Sequence, residues 1–329
     1  MRMLAQIELS GEDQSLFQEA WDLARAKKGE DFTFYLPGMI RYGSVRGRYP
    51  AISISGDQCA LQCEHCRGLL LKPMIQVSGP RELEEKVARL RSRGAHGVLL
   101  SGGADASGRL PWRRFAESIH RMSTEKGVYL TAHAGFPDDE DCALLAGAGV
   151  RQALVDVMGD HETASRVYHL PDLDRVSASL EAIARGGIPL APHVVAGLYY
   201  GSMRSEVEAL KMLLPFRPAA LVIVVLTPLP GTPMAGVHPP SPLDVARLIA
   251  RARILMPDIP ISLGCERPRN REGLLLERLA VRAGITRMAV WSEEAVRDVR
   301  GLGLNPRFQA TCCSLPYTPG FSCEGPEGA

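Results

Sequence analysis

AISISGDQCALQCEHC, residues 51–66, joins a strand-like run to three closely spaced cysteines, and this stretch decides the fold. The alternation in residues 51–55 predicts a β-strand, which Gly56 and Asp57 bring to an end. Cys59, Cys63 and Cys66 therefore lie on the loop that follows a strand. The same succession of strand, loop and helix recurs along the chain to about residue 264.

The pattern beyond this stretch predicts a parallel sheet with right-handed crossovers. Further strands are predicted at 97–103, 128–133, 152–157, 189–198 and 220–226, with another short one at 259–264. Helices are predicted between them, and also at 12–28, 271–283 and 292–300. Periodicity does not separate a closed barrel from an open sheet. In both architectures, functional residues are expected at the carboxyl ends of the strands.

Composition limits the kind of protein. The chain has 329 residues, 46% of them apolar and 23% charged, which suits one large α/β domain. With 38 basic and 37 acidic residues, the formal charge of +1 gives no reason to expect nucleic acid or an anionic membrane as a partner. We find no signal-like or membrane-spanning apolar run, so we expect a soluble cytoplasmic protein. In reducing cytosol, cysteines are more often metal-binding or catalytic than disulfide-bonded.

The C-x3-C-x2-C spacing leaves three chemical interpretations. An iron–sulfur cluster fits best, because three nearby thiolates would leave one iron open to a ligand. A structural zinc site would need a fourth ligand, and locally only His65 is available. The cysteines could also be inert, although Gln58, Gln62 and Glu64 surround them with polarity. A closed electron-transfer cluster would need a fourth cysteine from elsewhere.

In this context the triplet resembles the hallmark of the radical S-adenosylmethionine (SAM) superfamily. The resemblance implies a [4Fe–4S] cluster on Cys59, Cys63 and Cys66, with SAM chelated to the open iron. Reduction would cleave SAM to a 5′-deoxyadenosyl radical that abstracts hydrogen from the substrate. The implied fold is a partial (β/α)6 TIM-like barrel over residues 47–265. An N-terminal helical extension (1–46) and a C-terminal cysteine-containing extension (266–329) would flank it.

The resemblance also implies SAM contacts at the ends of the strands. Ser101, Gly102 and Gly103 match the glycine pair whose backbone receives the SAM amino group, although Ala104 replaces the usual acidic residue and Asp105 would stand in. His65 occupies an often aromatic position and could pack on adenine. The remaining candidates are Asp156 for the ribose hydroxyls and Gly197, within the strand that resembles the adenine contact. Each has a simpler interpretation: a turn glycine, a helix cap or a satisfied histidine.

A second group of cysteines, Cys265, Cys312 and Cys313, could ligate an auxiliary [4Fe–4S] cluster or could be scattered tail thiols. The short motifs around them, Gly264–Pro268 and Cys312–Ser314, together with Phe34–Gly38, resemble the radical SAM subunits of two-component lipoyl synthases. That resemblance implies sulfur insertion into an octanoyl chain on a carrier protein. It also implies a sister radical SAM subunit, and a reducing protein is expected as electron donor.

Other functions remain open from the sequence. One keeps radical SAM chemistry but changes the substrate, as in a biotin-synthase-like sulfur insertion or a methylthiolation. Another makes the chain an iron–sulfur electron carrier or a zinc-stabilised regulatory module, in which a fourth ligand would close the metal site.

Overall fold

A computed structural model describes residues 9–38 and 40–326. Its main feature is a curled sheet of eleven strands, in which every pairing is parallel. The strand order is β13-β1-β12-β11-β10-β9-β8-β7-β6-β4-β5, and β2 and β3 form a separate hairpin. Consecutive strands from β6 to β12 are neighbours, as expected of repeated β/α units.

The strands are β1 (Asp31–Tyr35), β2 (Arg41–Tyr42), β3 (Val45–Arg46), β4 (Ala51–Ser53), β5 (Ile75–Gln76), β6 (Gly97–Ser101), β7 (Tyr129–His133), β8 (Ala153–Asp156), β9 (Leu190–Ala196), β10 (Leu221–Val225), β11 (Ile261–Leu263), β12 (Arg287–Ala289) and β13 (Asn305–Gln309). The helices are α1 (Gly11–Lys28), α2 (Pro80–Ser92), α3 (Trp112–His120), α4 (Asp139–Gly147), α5 (His161–Val167), α6 (Asp174–Arg185), α7 (Glu206–Leu213), α8 (Pro242–Leu255), α9 (Arg271–Arg282) and α10 (Glu293–Gly301). Among the helices of the described residues, none is both long enough and apolar enough to cross a bilayer.

The predicted α/β fold with a TIM-like partial barrel is confirmed. The strands predicted between residues 51 and 264 are present, and Ser292 caps α10 as expected. The sheet also takes strands from outside the predicted core, because β1 lies between β12 and β13. The division of the chain at residues 46 and 265 stays a prediction.

The two faces of the curled sheet differ. Leu130, Ala132 and Ile223 belong to the large apolar core that packs against the helices. Val222 and Val224, on the other face of β10, belong to a smaller buried cluster with Tyr35, Ala289 and Cys313. Because successive side chains of a strand alternate between faces, this second cluster marks the inside of the curl.

The segment after β13 enters that interior. The Ser314 carbonyl accepts hydrogen bonds from Gln152 beside β8 and from Arg287 of β12, both at 3.2 Å. The Leu315 carbonyl accepts one from the Tyr35 hydroxyl at 2.8 Å. Contacts to β1, to β12 and to the residue before β8 place residues 314 and 315 within the barrel.

Candidate active site

The cysteine loop begins where β4 ends, at the carboxyl edge of the sheet. Backbone hydrogen bonds hold it at two points: Ala60 donates to the Ala104 carbonyl at 2.7 Å, and Glu64 donates to the Val167 carbonyl at 2.9 Å. A ring nitrogen of His169 lies 2.6 Å from the Leu61 carbonyl oxygen. The loop is therefore fixed by the strand end of β6 on one side and by the end of α5 on the other.

The structure brings Cys63, His65 and Cys66 together, with one potential ligand atom from each within 4.8 Å of the others. Cys59 lies outside that tight group, although its charge influences the pKa of Cys63. All three cysteines are free thiols. A four-iron cluster binds each thiolate to a different iron, so three cysteines on one loop could supply three of its four ligands. The donor set therefore fits such a cluster.

The electrostatics of the loop favour a thiolate. A hydrogen bond between the two thiols lowers the pKa of Cys66, and the same bond together with burial raises the pKa of Cys63. Burial alone would lower the pKa of His65, but its hydrogen bond to Cys66 and the nearby Asp156 raise it. Thiolates are the form that ligates iron, so the loop is prepared to bind metal.

Gly103 is required by the close packing of the cysteine loop. A Cβ at this position would lie 1.9 Å from the Gln58 carbonyl oxygen and 2.6 Å from the Cys59 Cβ. Its amide donates to the Ser55 hydroxyl at 2.6 Å. Contact between two protein loops thus accounts for this glycine, whereas its predicted contact with SAM, like those of Ser101 and Gly102, stays a prediction. Asp105 uses its carboxylate locally, accepting from the amides of Ser107 and Arg109.

Asp156 lies at the end of β8 and is held by two partners. Its Oδ2 accepts a 2.7 Å hydrogen bond from the Tyr168 hydroxyl, and its Oδ1 lies 3.5 Å from His133 Nε2. Burial would raise the pKa of Asp156, but His133 and Tyr168 lower it well below its usual range. Asp156 is therefore a half-buried carboxylate at a strand end and not a helix cap, since Asp160 caps α5. Its contact with ribose stays a prediction.

His193 of β9 is the third polar residue in this group, next to Asp156 and His133. Its ring lies 5.5 Å from the ring of His133, centroid to centroid. Burial, reinforced by His133, lowers the pKa of His193 to about 4. His193 is therefore neutral at physiological pH, with a nitrogen lone pair available.

Gly197 has a clear structural role. Its φ of +75° is a left-handed conformation that favours glycine, and a Cβ would lie 2.4 Å from Pro240 Cδ. Its amide donates to the buried Glu206 carboxylate at 2.7 Å. The predicted adenine contact at Gly197 is not tested by these interactions and stays a prediction.

The second cysteine group faces the same interior. Cys313 packs in the cluster with Tyr35 and Val222, and Cys312 is half-buried with its Sγ 3.4 Å from the Ser314 hydroxyl. Burial raises the pKa of Cys265 to about 11, and the charge of Cys312 adds to this. Cys265 is nevertheless exposed, as expected for a side chain on the wall of a recess. Among the described residues, the sulfur atoms of these three cysteines are not close enough to bind one metal ion together. Only a cluster of several irons could bridge them.

Arg267 was missed as a positioning residue by sequence reasoning. Its guanidinium is fully buried, forms an ion pair of 2.6 Å with Glu277 and donates to the Ala289 carbonyl at 2.7 Å. It also donates to the Gly264 carbonyl at 2.5 Å, next to Cys265. Arg267 thereby ties the Cys265 loop to the end of β12. The run Gly264–Pro268 contained this residue, but nothing in the sequence indicates that the arginine is buried.

Comparisons with known proteins agree with this arrangement. Residues 222–313 match the family described as the Biotin and Thiamin Synthesis associated domain. The match runs from β10 to Cys313 and so includes the whole second cysteine group. The biotin synthase of Alkalilimnicola ehrlichii is 33% identical over 287 residues, covering 80% of this chain and 82% of that protein. The biotin synthase of Neorickettsia sennetsu is 26% identical over 66% of this chain and 68% of that protein.

Solved structures share the fold. Methylornithine synthase superposes with a TM-score of 0.63 at 17% identity, covering 93% of this chain and 92% of that one. HydG, a maturase of the [FeFe]-hydrogenase, gives a TM-score of 0.66 at 16% identity, covering 92% of this chain and 70% of that one. Together with the cysteine loop and the sheet, the 33% identity shows that the chain belongs to the biotin synthase family of radical SAM enzymes, whose cofactors are a [4Fe–4S] cluster and SAM.

Proposed function

We propose that this enzyme inserts sulfur into an unactivated C–H bond, with an aliphatic acyl chain as its substrate. The proposal rests on the proximity of two cysteine groups from loops more than 190 residues apart: Asp156 influences the pKa of Cys63, and Cys312 influences that of His133, the neighbour of Asp156. Cys59, Cys63 and Cys66 hold the SAM-cleaving cluster at the carboxyl edge. Cys265, Cys312 and Cys313 would hold a second cluster deeper in the barrel as the sulfur source.

When the first cluster and SAM are bound, reductive cleavage supplies a radical that removes hydrogen from the substrate. The chain's own residues then have three tasks. The loop contacts at Ala60 and Glu64 fix the cysteines, the curled sheet excludes water, and the interior positions the substrate between the two cysteine groups. Substrate and sulfur source would thus meet without diffusion.

The substrate class is supported by the wall next to Cys313. Val222, Ala289 and Tyr35 are fully buried behind this wall, and Val224 and the partly buried Val195 are the apolar side chains of the cluster that keep some exposed surface. An alkyl chain is recognised by apolar surface and needs no polar partner along its length. We therefore propose an octanoyl chain on a carrier protein, delivered in concert with a sister radical SAM subunit, as in two-component lipoyl synthases.

A biotin-synthase-like insertion is the second candidate, favoured by the relatives named biotin synthase at 26 and 33% identity. The two candidates share both clusters and differ in substrate. The test is anaerobic reconstitution followed by incubation with SAM, a reductant and either an octanoylated carrier domain or dethiobiotin. Substrate-dependent 5′-deoxyadenosine and a sulfur-sized mass increase on the octanoyl chain would support the first candidate. The same products on dethiobiotin would replace it with the second.

A further inference from the structure

Three side chains at the ends of neighbouring strands form a group that the proposed sulfur chemistry does not fully use. His133 ends β7, Asp156 ends β8 and His193 lies in β9. One nitrogen or oxygen atom from each lies within 4.8 Å of the others. All three are only half-buried, so each borders open space at the carboxyl ends of these strands, which we call the cavity.

We propose that His133, Asp156 and His193 bind one divalent transition-metal ion of the Zn²⁺ class. Two imidazoles and one carboxylate are a common donor set for such ions, and three protein ligands leave a coordination position open. This site would be separate from both cysteine groups and goes beyond the proposed function.

The spacing fits shared coordination better than direct hydrogen bonding. The distance of 3.5 Å between His133 Nε2 and Asp156 Oδ1 is long for a strong hydrogen bond. Two donors at about 2.0–2.1 Å from a tetrahedral zinc ion lie roughly 3.3 Å apart. The buried Nδ1 of His193 has no hydrogen-bond partner among the described residues, so this ring is not held by a complete set of protein contacts.

The surroundings supply the support that a metal ligand needs. The Tyr168 hydroxyl donates to Asp156 Oδ2 at 2.7 Å, which fixes the carboxylate and leaves Oδ1 toward His133. Hydrogen bonds of this kind orient ligating carboxylates in metal sites. The Tyr168 ring also lies 5.1 Å from the ring of His65, so the site adjoins the first cysteine loop.

The ion would lie between the two cysteine groups. Asp156 influences the pKa of His65, and Cys312 influences that of His133, so the three residues lie between the two cysteine groups. An open position there would take an oxygen or sulfur ligand from a molecule in the cavity. A metal ion and the ribose of SAM would be alternative partners of Asp156 Oδ1, so the test is made without SAM.

The experiment uses the full chain, reconstituted anaerobically with iron and sulfide so that its cluster cysteines are occupied. One equivalent of Zn²⁺ is added, loosely bound metal is removed, and zinc per chain is measured. Zinc K-edge X-ray absorption then identifies the ligands without interference from iron. His193→Gln and His133→Gln are the test variants. His120→Gln is the control, because His120 is exposed on α3, away from the cavity.

We expect about one zinc per chain with only nitrogen and oxygen ligands at about 2.0–2.1 Å. Zinc affinity should fall at least about 10-fold in each test variant and stay unchanged in His120→Gln. Iron content at the wild-type level in the variants shows that they are folded. Zinc–sulfur distances of about 2.3 Å, or unchanged zinc binding in both folded variants, would overturn the proposal. Neither result would alter the proposed sulfur insertion, which is measured by its own products.

Discussion

The two cysteine groups differ in how the chain builds them. Cys59, Cys63 and Cys66 lie within eight residues on one loop, and backbone hydrogen bonds from two neighbouring elements hold that loop. Cys265, Cys312 and Cys313 come from the end of β11 and from the segment after β13, which meet only because that segment enters the barrel. The first group is local in sequence, whereas the second depends on the closure of the whole fold.

Substitutions in the two groups should therefore have different effects. A substitution of a cysteine in the first loop should abolish cluster binding at that loop and leave the barrel folded. A change in the second group should leave SAM cleavage intact and remove only the step that needs sulfur. Substitutions in and around the two cysteine groups test this separation.

Cys66→Ala should abolish SAM cleavage, because the first cluster would lose a thiolate ligand. The measurement is 5′-deoxyadenosine formed under reduction by the reconstituted protein. Cys142→Ala is the matched control: this thiol is buried in α4, so its loss should affect packing and not catalysis. Cleavage at the wild-type rate in Cys66→Ala would refute the cluster assignment, as it would for Cys59→Ala or Cys63→Ala.

The double variant Cys312→Ser/Cys313→Ser should keep SAM cleavage and lose sulfur insertion. Its iron content should fall from about eight to about four atoms per chain, because only the first cluster would remain. Cys323→Ser provides the control, since this residue pairs with β13 through its backbone amide. If the double variant still formed the sulfur product at the wild-type rate, Cys312 and Cys313 would have no role as ligands.

Gly103→Ala should displace the first loop, because the added Cβ would overlap the Gln58 carbonyl and the Cys59 Cβ. We expect iron content in the first cluster to fall several-fold while the protein stays folded. Gly147→Ala is the control, because a Cβ there meets nothing within 4 Å. Normal iron incorporation in Gly103→Ala would show that the loop is less constrained than its contacts indicate.

Asp13→Asn should lower the free energy of unfolding by about 1 kcal/mol, because the Asp13 carboxylate binds Arg247 in two contacts of 2.7 and 2.9 Å. Arg247 is more than one-third exposed, so solvent weakens the pair. Arg247 lowers the pKa of Asp13 from 3.8 to about 2. The stabilisation should therefore be complete above about pH 4 and disappear as the pH falls through about 2.

Urea denaturation of Asp13→Asn and of the wild type at several pH values measures this difference. Asp258→Asn serves as the comparison, because its pair with Lys27 is largely exposed and should contribute little. An equal loss in the two variants would mean that the pair of Asp13 with Arg247 stabilises the fold no more than the exposed pair of Lys27 with Asp258.

Sequence reasoning predicted the parts that depend on local pattern. The β/α alternation from β4 to β11 follows from apolar runs and helical periodicity, and the cysteine triplet follows from its spacing. Strand β1 was missed because DFTFY lies in an aromatic and glycine-rich stretch, and its neighbours β12 and β13 lie more than 250 residues away. Short strands of this kind are stabilised by non-local pairing, which a local pattern does not record.

For the site, too, the sequence predicted single residues but not the contacts between them. Asp156 was found as a polar residue at a strand end, but its grouping with His133 and His193 required knowledge of the register between β7, β8 and β9. Tyr168 and Arg267 carried no signal, because a hydrogen bond to Asp156 or a buried guanidinium depends on tertiary packing. The predicted contact of Gly103 with SAM stays a prediction, and its close packing against Cys59 carried no signal in the sequence because it depends on how two loops meet.

We propose that one barrel holds two metal–sulfur groups with different tasks. The most direct test is to count iron and sulfide in the anaerobically reconstituted chain while measuring 5′-deoxyadenosine, for the wild type and for Cys265→Ser/Cys312→Ser/Cys313→Ser. We expect about eight irons in the wild type and about four in the variant, with SAM cleavage retained in both. About four irons in both proteins would contradict it, because the second cysteine group would then bind no cluster.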